Sequence, residues 1–291
     1  MNSFTVVICT YRRSFLIKKC LEHILNNTLL PSKIIIIDQN YDYSTYKKII
    51  NIFKIKKFDN YEIIRNLTQK GLTKSKNISL KYVKTKYVFF IDDDITLNNN
   101  FFIENIILIS KKKAHGVSGV ISNYDGNFIR DIIYYCFNFN IFKDNRFYFK
   151  NFKKLKKKNS YTKVFQLPGG ITCFDKKVFK KCLFDEKLVK HNYEDVEFNI
   201  NLRKKFKKVK LYINFNAEAF DNLKKKSKEN IFNRFYYLRL IYLKNKNYKI
   251  LIFYYLSLLG LIFSNITNLY IKDYIKMYKY NGTILITIDG V

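Results

Sequence analysis

The stretch Lys86-Tyr87-Val88-Phe89-Phe90-Ile91-Asp92-Asp93-Asp94 runs from five apolar or aromatic residues straight into three carboxylates. A run of that length and composition, bounded by charge, reads as a strand. Three adjacent like charges repel, so they are tolerable only where they are exposed or neutralised. The strand therefore ends at a place where a cation or a solvated turn has to be.

Outward from this stretch the chain alternates. Phe4–Cys9 is a short β-branched strand, and Phe15–Asn27 has helical spacing, with Leu16, Cys20, Ile24 and Leu25 on one face. Lys33–Asp38 holds four consecutive isoleucines, and Tyr43–Phe53 reads as a helix. Tyr61–Asn66 is a further strand, and Thr73–Val83 a helix with Ile78, Leu80 and Val83 turned inward. Strand and helix in this rhythm predict an α/β fold with a mostly parallel central sheet. Ligands of such sheets bind beyond the carboxyl ends of the strands. Three of the strands end there in polar residues: Thr10-Tyr11-Arg12-Arg13, Asp38-Gln39-Asn40 and Asp92-Asp93-Asp94.

Further along, Lys153–Lys158 is nearly all lysine and reads as a solvated loop. Leu167-Pro168-Gly169-Gly170-Ile171 is a turn, followed by a helix from about Asp175. Glu194-Asp195 opens a helix with Val196, Ile200, Leu202 and Phe206 as its apolar positions, and Lys210–Asn214 suits a closing strand. Residues 1–222 are thus expected to form one domain, and 223–291 a basic and hydrophobic helical appendage. Ile250–Ile271 carries no charge. Its Ser257, Gly260, Ser264 and Asn268 would share one side of a helix, which suits an interfacial or protein-packed helix; a membrane span is the competing reading.

With 54 Lys+Arg against 23 Asp+Glu the net charge is +31. That favours anionic partners, but the same chain is crowded with Ile, Asn, Tyr and Phe, a bias that raises lysine everywhere. At 48% hydrophobic and 18% aromatic, with 9 Gly and 2 Pro, the chain is neither disordered nor collagen-like. Five cysteines without a C-x-x-C and three scattered histidines argue against a disulfide framework or a structural zinc site, and fit a reducing compartment. The first apolar run, Val6–Cys9, is too short for a signal peptide.

Three constellations carry chemistry. Asp92-Asp93-Asp94 suits a hard divalent cation, Mg²⁺ or Mn²⁺, holding a diphosphate. Asp38 suits acceptance of a base's ring N–H. An Asp at a helix N-terminus, as in Glu194-Asp195, suits a substrate hydroxyl. Each has an ordinary reading as well: an acidic turn capping the segment near Asn98, a turn aspartate, and a common N-terminal acidic pair.

Taken in order, these residues resemble the family-2 glycosyltransferases. The matching segments are Val6–Arg13, Ile34–Asp38 with Gln39-Asn40, Gly71–Asn77, Phe89–Asp94, Pro168-Gly169-Gly170, Phe184-Asp185-Glu186, and Glu194-Asp195 ahead of Asn201-Leu202-Arg203, covering about residues 3–222. The resemblance implies a single GT-A-type, Rossmann-like nucleotide-sugar-binding domain. It implies that Thr10, Tyr11, Arg13, Asp38, Lys76, Asp92 and Asp93 bind nucleotide. Asp94, with Asp92, would hold a divalent cation (Mg or Mn). Gly169, Gly170 and Glu194 would line the acceptor site, with Asp195 as general base. The reaction it implies is inverting transfer of one sugar from a nucleoside-diphosphate sugar, UDP or dTDP, to a hydroxyl of a glycan or lipid-linked acceptor. The setting would be surface-glycan (lipopolysaccharide or capsule) assembly at the cytoplasmic membrane face, in peripheral contact with anionic lipid. Cys9 stands where the family commonly has Pro, Lys76 where Arg is common, and Asp221 where many members have His; a water could also take that last role. A processive polysaccharide synthase would add a Gln-x-x-Arg-Trp segment, yet the chain has no Trp. An inactive transferase and a basic nucleic-acid-binding protein also compete with the leading reading. The aromatics fall at core spacing and no nucleic-acid module is evident, so no nucleic-acid partner is expected.

Overall fold

The computed structural model describes residues 3–68, 71–123, 146–187, 193–223, isolated positions between 241 and 259, 275–280 and 283–288. Contacts divide the chain into two compact units, Met1–Phe128 with Asn140–Lys225, and Ile129–Phe139 with Lys226–Val291.

The first unit is built on a nine-stranded sheet. Strands β1 (Phe4–Thr10), β2 (Lys33–Asp38), β3 (Tyr61–Arg65) and β4 (Tyr87–Ile91) form its parallel half, in the order β3-β2-β1-β4. Helices α1 (Leu16–Leu25), α2 (Ser44–Ile55) and α3 (Leu72–Leu80) connect them. The register sets Thr10 beside Asp38 and Asp38 beside Arg65, so three polar residues line up at the carboxyl end. Beyond β4 come β5 (Ile95–Leu97), α4 (Phe101–Lys112), β6 (Gly116–Ile121), α5 (Arg146–Lys156), β7 (Tyr161–Lys163), β8 (Ile171–Asp175), α6 (Glu194–Lys205) and β9 (Leu211–Asp221). Here the sheet is mixed: β8 runs antiparallel to both β4 and β6, whereas β9 is parallel to β6 and antiparallel to β5 and β7. Ile91 pairs with Ile171, which carries the preceding Gly169-Gly170 turn to the same end as Asp92.

Strand β4 is buried along its whole length because both of its faces are covered. On one face Phe89 packs against Phe4 and Phe102, at ring separations of 5.2 and 5.0 Å for Phe4–Phe89 and Phe89–Phe102. On the other, Phe90 meets Phe179 and Phe184 at 5.9 and 5.4 Å. These edge-on contacts fix the strand, and with it the direction in which the triple aspartate leaves the sheet.

Several expectations change. Helix α3 turns Thr73, Ser75, Lys76, Asn77 and Ser79 inward, whereas Ile78 and Leu80 are only half-buried. Its inner face is polar because its side chains meet polar partners: Ser75 meets Asn66, Lys76 meets Glu194, and Asn77 meets the Phe184 carbonyl and Glu186. The lysine run is exposed as expected, but α5 continues helically through Lys156, anchored by the buried Phe152. After Asp175 there is only a 3-10 turn, Lys176–Lys180, with the Asp175 carboxylate accepting from the Lys177 N–H. The closing strand extends to Asp221 because it pairs with β6, β7 and β5 along its length. In the second unit, β10 (Ile275–Tyr280) and β11 (Thr283–Ile288) form an antiparallel pair, an element not anticipated from the sequence. The 250–271 segment lies almost entirely outside the described residues. Among the described residues no helix is long and apolar enough to cross a membrane.

Candidate active site

At the end of β2, Asp38 is wholly buried. Its Oδ1 accepts from the Asn40 N–H at 3.0 Å and from Asn40 Nδ2 at 2.7 Å. Its Oδ2 is buried with no hydrogen-bond partner among the described residues. A buried acceptor left without a donor is unfavourable by roughly 1–3 kcal/mol, so this oxygen is suited to an incoming N–H. Asn40 Oδ1 also accepts from the Arg12 N–H at 2.6 Å, across a backbone bend where Arg12 has φ 56°. Arg65, at the end of β3, donates to the carbonyls of Asn40 and Tyr41, each at 2.8 Å, and stacks 3.9 Å from the Tyr43 ring centroid. Asn40 and Arg65 thus shape the loop around Asp38. Arg65 was missed in the sequence, although its place at the carboxyl end of a strand is the same signal that marked Asp38. Tyr11 is exposed at 38%, on the same loop as Arg12 and Arg13.

The triple aspartate is divided by its partners. Asp93 Oδ2 accepts from Thr10 Oγ1 at 2.7 Å. Arg13 Nη1 donates to Asp93 Oδ1 at 3.3 Å and to Asp94 Oδ2 at 2.9 Å. Burial works against the Arg13 charge, yet the carboxylates of Asp93 and Asp94 hold it and raise its pKa. Burial also raises all three carboxyls. Asp92 is pushed up to about 6, with Lys76 opposing and Glu194 and Asp93 adding to the effect. Asp94 is pushed up to about 7 by burial and then by Asp92, with Arg13 opposing and Asp93 and Asp221 adding. Asp93 rises as well, through burial, restrained by Thr10 and Arg13. Burial thus outweighs the nearby cations, Lys76 at Asp92 and Arg13 at Asp94.

Asp221 closes this edge from β9. Its neighbour Asn222 donates to the Asp94 carbonyl from N–H at 2.9 Å and from Nδ2 at 2.8 Å. Asn222, not singled out in the sequence, is what ties the end of β9 to the triple aspartate.

The glycine turn joins this edge to α6. The Asp92 N–H donates to the Gly170 carbonyl at 2.9 Å, and a β-carbon on Gly170 would collide with Asp92 Oδ2. One on Gly169 would stand 2.8 Å from Glu194 Oε1 and 3.5 Å from Asp195 Cβ. The two glycines thus let the backbone pass between Asp92 on one side and Glu194 and Asp195 on the other. Asp195 Oδ1 accepts from the Val196 N–H at 2.8 Å, in the first turn of α6, where the helix dipole favours its charge. Lys76 lies against Glu194, its Nζ 2.9 Å from Oε1, and its charge also acts on Asp92.

The structure thus brings Thr10, Arg13, Asp92, Asp93 and Asp94 into direct contact, sets Asp38 beside Thr10, and links Asp92 through Gly170 and Gly169 to Glu194, Asp195 and Lys76. For a divalent cation the donor chemistry fits: carboxylate oxygens at Asp92 and Asp94. Among the described residues no three His, Cys, Asp or Glu side chains are gathered to enclose an ion by themselves. The protein would supply only part of a coordination shell.

A family profile described as glycosyl transferase family 2 matches residues 5–183. No curated protein matches the sequence. Among solved structures, the chain is similar to a mannosyltransferase from Pyrobaculum calidifontis in complex with GDP-Man and Mn²⁺. That match has TM-score 0.60 and 12% identity, covering 84% of this chain and 64% of that one. It is also similar to GalNAc-T7 with UDP, GalNAc and Mn²⁺, with TM-score 0.57 and 13% identity, covering 76% and 44%. S. aureus TarS 1-349 in complex with UDP gives TM-score 0.52 and 14% identity, covering 82% and 65%. At these identities the likeness shows the fold. The chain spans less than half of GalNAc-T7 and just under two thirds of the other two.

Proposed function

The chain belongs to glycosyl transferase family 2, and from that premise we propose that it moves one sugar from a nucleoside-diphosphate sugar to an acceptor hydroxyl, with inversion at the anomeric carbon. The observation that carries this reading is the continuity from Asp92 through Gly170 and Gly169 to Asp195. It sets a carboxylate able to take a proton beside a carboxylate cluster able to take a cation.

In the proposed reaction Asp195 accepts the proton of the acceptor hydroxyl as its oxygen bonds to the anomeric carbon. The bond from that carbon to the diphosphate oxygen breaks on the opposite side, and the electron pair leaves with the nucleoside diphosphate. Thr10, Tyr11 and Arg13 hold the nucleotide. Asp38 Oδ2 accepts the imide N–H of a uracil or thymine ring, for which UDP and dTDP are the donors of choice. A divalent cation held by Asp92 and Asp94 would supply positive charge to the departing diphosphate. Arg13, already on Asp93 and Asp94, adds a fixed cation at the same edge. Asp221 stands near enough to raise the Asp94 pKa and takes the place that His holds in many members.

The test is a panel of nucleotide sugars with Mn²⁺ or Mg²⁺, scored by release of free nucleotide, beside Asp195→Asn. General-base help is worth roughly 10²–10⁴-fold, and the variant should lose that much. Release from no donor, or an undiminished rate in Asp195→Asn, rejects the proposal.

The acceptor is proposed to be a glycan or lipid-linked saccharide, in surface-glycan assembly, with the protein held peripherally at the cytoplasmic membrane face. What supports this is the excess of exposed lysine, each worth about 1 kcal/mol near anionic lipid. The expected result is sedimentation with phosphatidylserine vesicles at low salt and release at high salt. Equal recovery with neutral vesicles speaks against it.

A further inference from the structure

Lys76 is 2% exposed, and a buried ammonium persists only with partners. It donates to Glu194 Oε1 at 2.9 Å and to the Gly169 carbonyl at 3.4 Å. The Phe90 and Phe184 rings lie 5.7 and 5.2 Å from its Nζ and close it off from water. Burial disfavours the charge, but Glu194 and then Asp92 outweigh it and raise the Lys76 pKa. Its neighbour Asn77 continues the tie, donating from Nδ2 to the Phe184 carbonyl and to Glu186 Oε1, both at 2.9 Å, and accepting from the Phe184 N–H at 3.1 Å. Helix α3 therefore clamps the glycine turn, the 184–186 stretch and the first residue of α6.

The family resemblance places a phosphate contact at this position. The geometry points elsewhere: we infer that Lys76 is a positioning residue, which through Glu194 and the Gly169 carbonyl sets where Asp195 stands relative to Asp92 and Asp94. The inference rests on the proposed transfer reaction and deepens it. A lysine whose hydrogen bonds go to Glu194 and the Gly169 carbonyl does not ligate a diphosphate, so donor affinity and turnover respond to it separately.

The experiment uses the full-length protein and the variants Lys76→Met, Lys76→Arg and Lys76→Met/Glu194→Gln. Calorimetry with UDP, GDP and dTDP in Mn²⁺ reads nucleotide affinity without an acceptor; initial rates with the donor that turns over read kcat and KM. Lys76→Met should bind nucleotide within about threefold of the parent while kcat falls about 100-fold, the effect of misplacing a reacting group by an ångström. Lys76→Arg keeps the charge and should recover at least about a tenth of the parent kcat. The double variant removes the carboxylate that Lys76→Met leaves buried and unpaired. It should melt higher than Lys76→Met, which keeps the test open if that single variant does not fold. A loss of nucleotide affinity of about tenfold or more with kcat intact would make Lys76 a phosphate ligand and overturn the inference. So would a kcat per folded molecule equal to the parent's, the mark of a merely structural lysine. A parent that binds none of the nucleotides sinks the transfer reading itself, and the inference with it; a parent that binds and turns over donor leaves only the role of Lys76 at stake.

Discussion

The two ends of the sheet collect opposite charges. At the carboxyl ends stand Asp38, Asp92, Asp93 and Asp94, with Glu194, Asp195 and Asp221 beside them, against Arg12, Arg13, Arg65 and Lys76. At the amino ends stand exposed lysines: Lys84 and Lys86 ahead of β4, Lys111 and Lys113 ahead of β6, Lys177, Lys180 and Lys181 after the antiparallel β8, and Lys207, Lys208 and Lys210 ahead of β9. Two of the acids there are paired, Glu62 with Lys33 and Asp175 with Lys177. Like charges shift their neighbours at both ends, in opposite senses. Asp92 and Asp94 rise to about 6 and about 7, through burial first. His115 falls below its ordinary 6.5, through burial and then Lys177, with Lys210 adding. The difference is solvent. Buried carboxylates are unfavourable without a partner ion, whereas exposed lysines are screened and nearly free of penalty. These lysines therefore lie at the end away from the chemistry.

The sharpest way to break this comparison is to remove charge at each end and compare rates. Asp94→Ala should lower turnover by about 10²–10³-fold, the usual effect of deleting a group that stabilises transition-state charge. Lys208→Glu combined with Lys210→Glu should leave turnover within about twofold, because screening confines surface charge to about 10 Å. Nucleotide-release assays check both, and comparable losses would show that the lysine end takes part in catalysis.

Glycine gives the second contrast. Gly170→Ala sets a methyl group against the Asp92 carboxylate, which is held in place by the bond from its N–H to the Gly170 carbonyl. The expected result is a kcat lower by about 10–100-fold with the fold retained. At the other end, Gly116→Ala sets a methyl group 2.7 Å from the Phe174 ring and 2.9 Å from Leu167. Overpacking there should destabilise by about 1–3 kcal/mol and leave kcat per folded molecule unchanged. Urea denaturation beside initial rates separates the two, and a stability loss without a rate loss in Gly170→Ala contradicts the assigned role of the turn.

The same contrast explains what was legible. Strands β1 to β4 and their polar ends follow from apolar runs broken by charge, because a strand buried on both faces leaves that mark in one dimension. Helix α3 misled, since its inward side is polar and periodicity ranks Ile78 and Leu80 as inward; the partners of Lys76 and Asn77, Glu194 and the 184–186 stretch, lie more than a hundred residues away. Arg65 and Asn222 were missed for the same reason, being defined by carbonyls of Asn40, Tyr41 and Asp94 that only the fold brings near. Strand β9 read short, as Lys210–Asn214, although Leu211, Ile213, Phe215, Ala217 and Ala219 keep one buried apolar face almost to its end.

A smaller effect comes from the acids themselves. Because Asp92 and Asp94 have folded pKa values above their ordinary 3.8, the folded state holds protons that the unfolded state sheds between pH 4 and 7. Their contribution therefore falls as pH rises through that window. Mn²⁺ competes with those protons and binds the folded state, so it should raise the melting temperature by a few degrees at pH 8, on the order of 2–4 °C per kcal/mol in a domain of this size, and by less at pH 5.5. Asp94→Ala should abolish the difference. Scanning calorimetry with and without Mn²⁺ checks this, and an equal rise at both pH values removes the carboxyl end from cation binding.

The smallest effect belongs to His115 and has the opposite sign. Its Nδ1 accepts from the Lys210 N–H at 3.1 Å, its ring meets Phe206 at 5.1 Å, and Lys177 and Lys210 stand against protonation, with Asp175 opposing them. With a folded pKa below 6.5, the unfolded state binds the proton more readily. The stability contribution is thus present above 6.5 and is lost as pH falls through the folded value. The ring is partly exposed, so water weakens the effect. The parent should lose about 1 °C more than His115→Gln between pH 8 and pH 5.5, with Mn²⁺ absent from both. Lys177→Gln should narrow that gap, because it removes the larger of the two repulsive charges. A gap of the reverse sign would mean that Asp175 outweighs both lysines, and the amino end would then be no mirror of the acidic one.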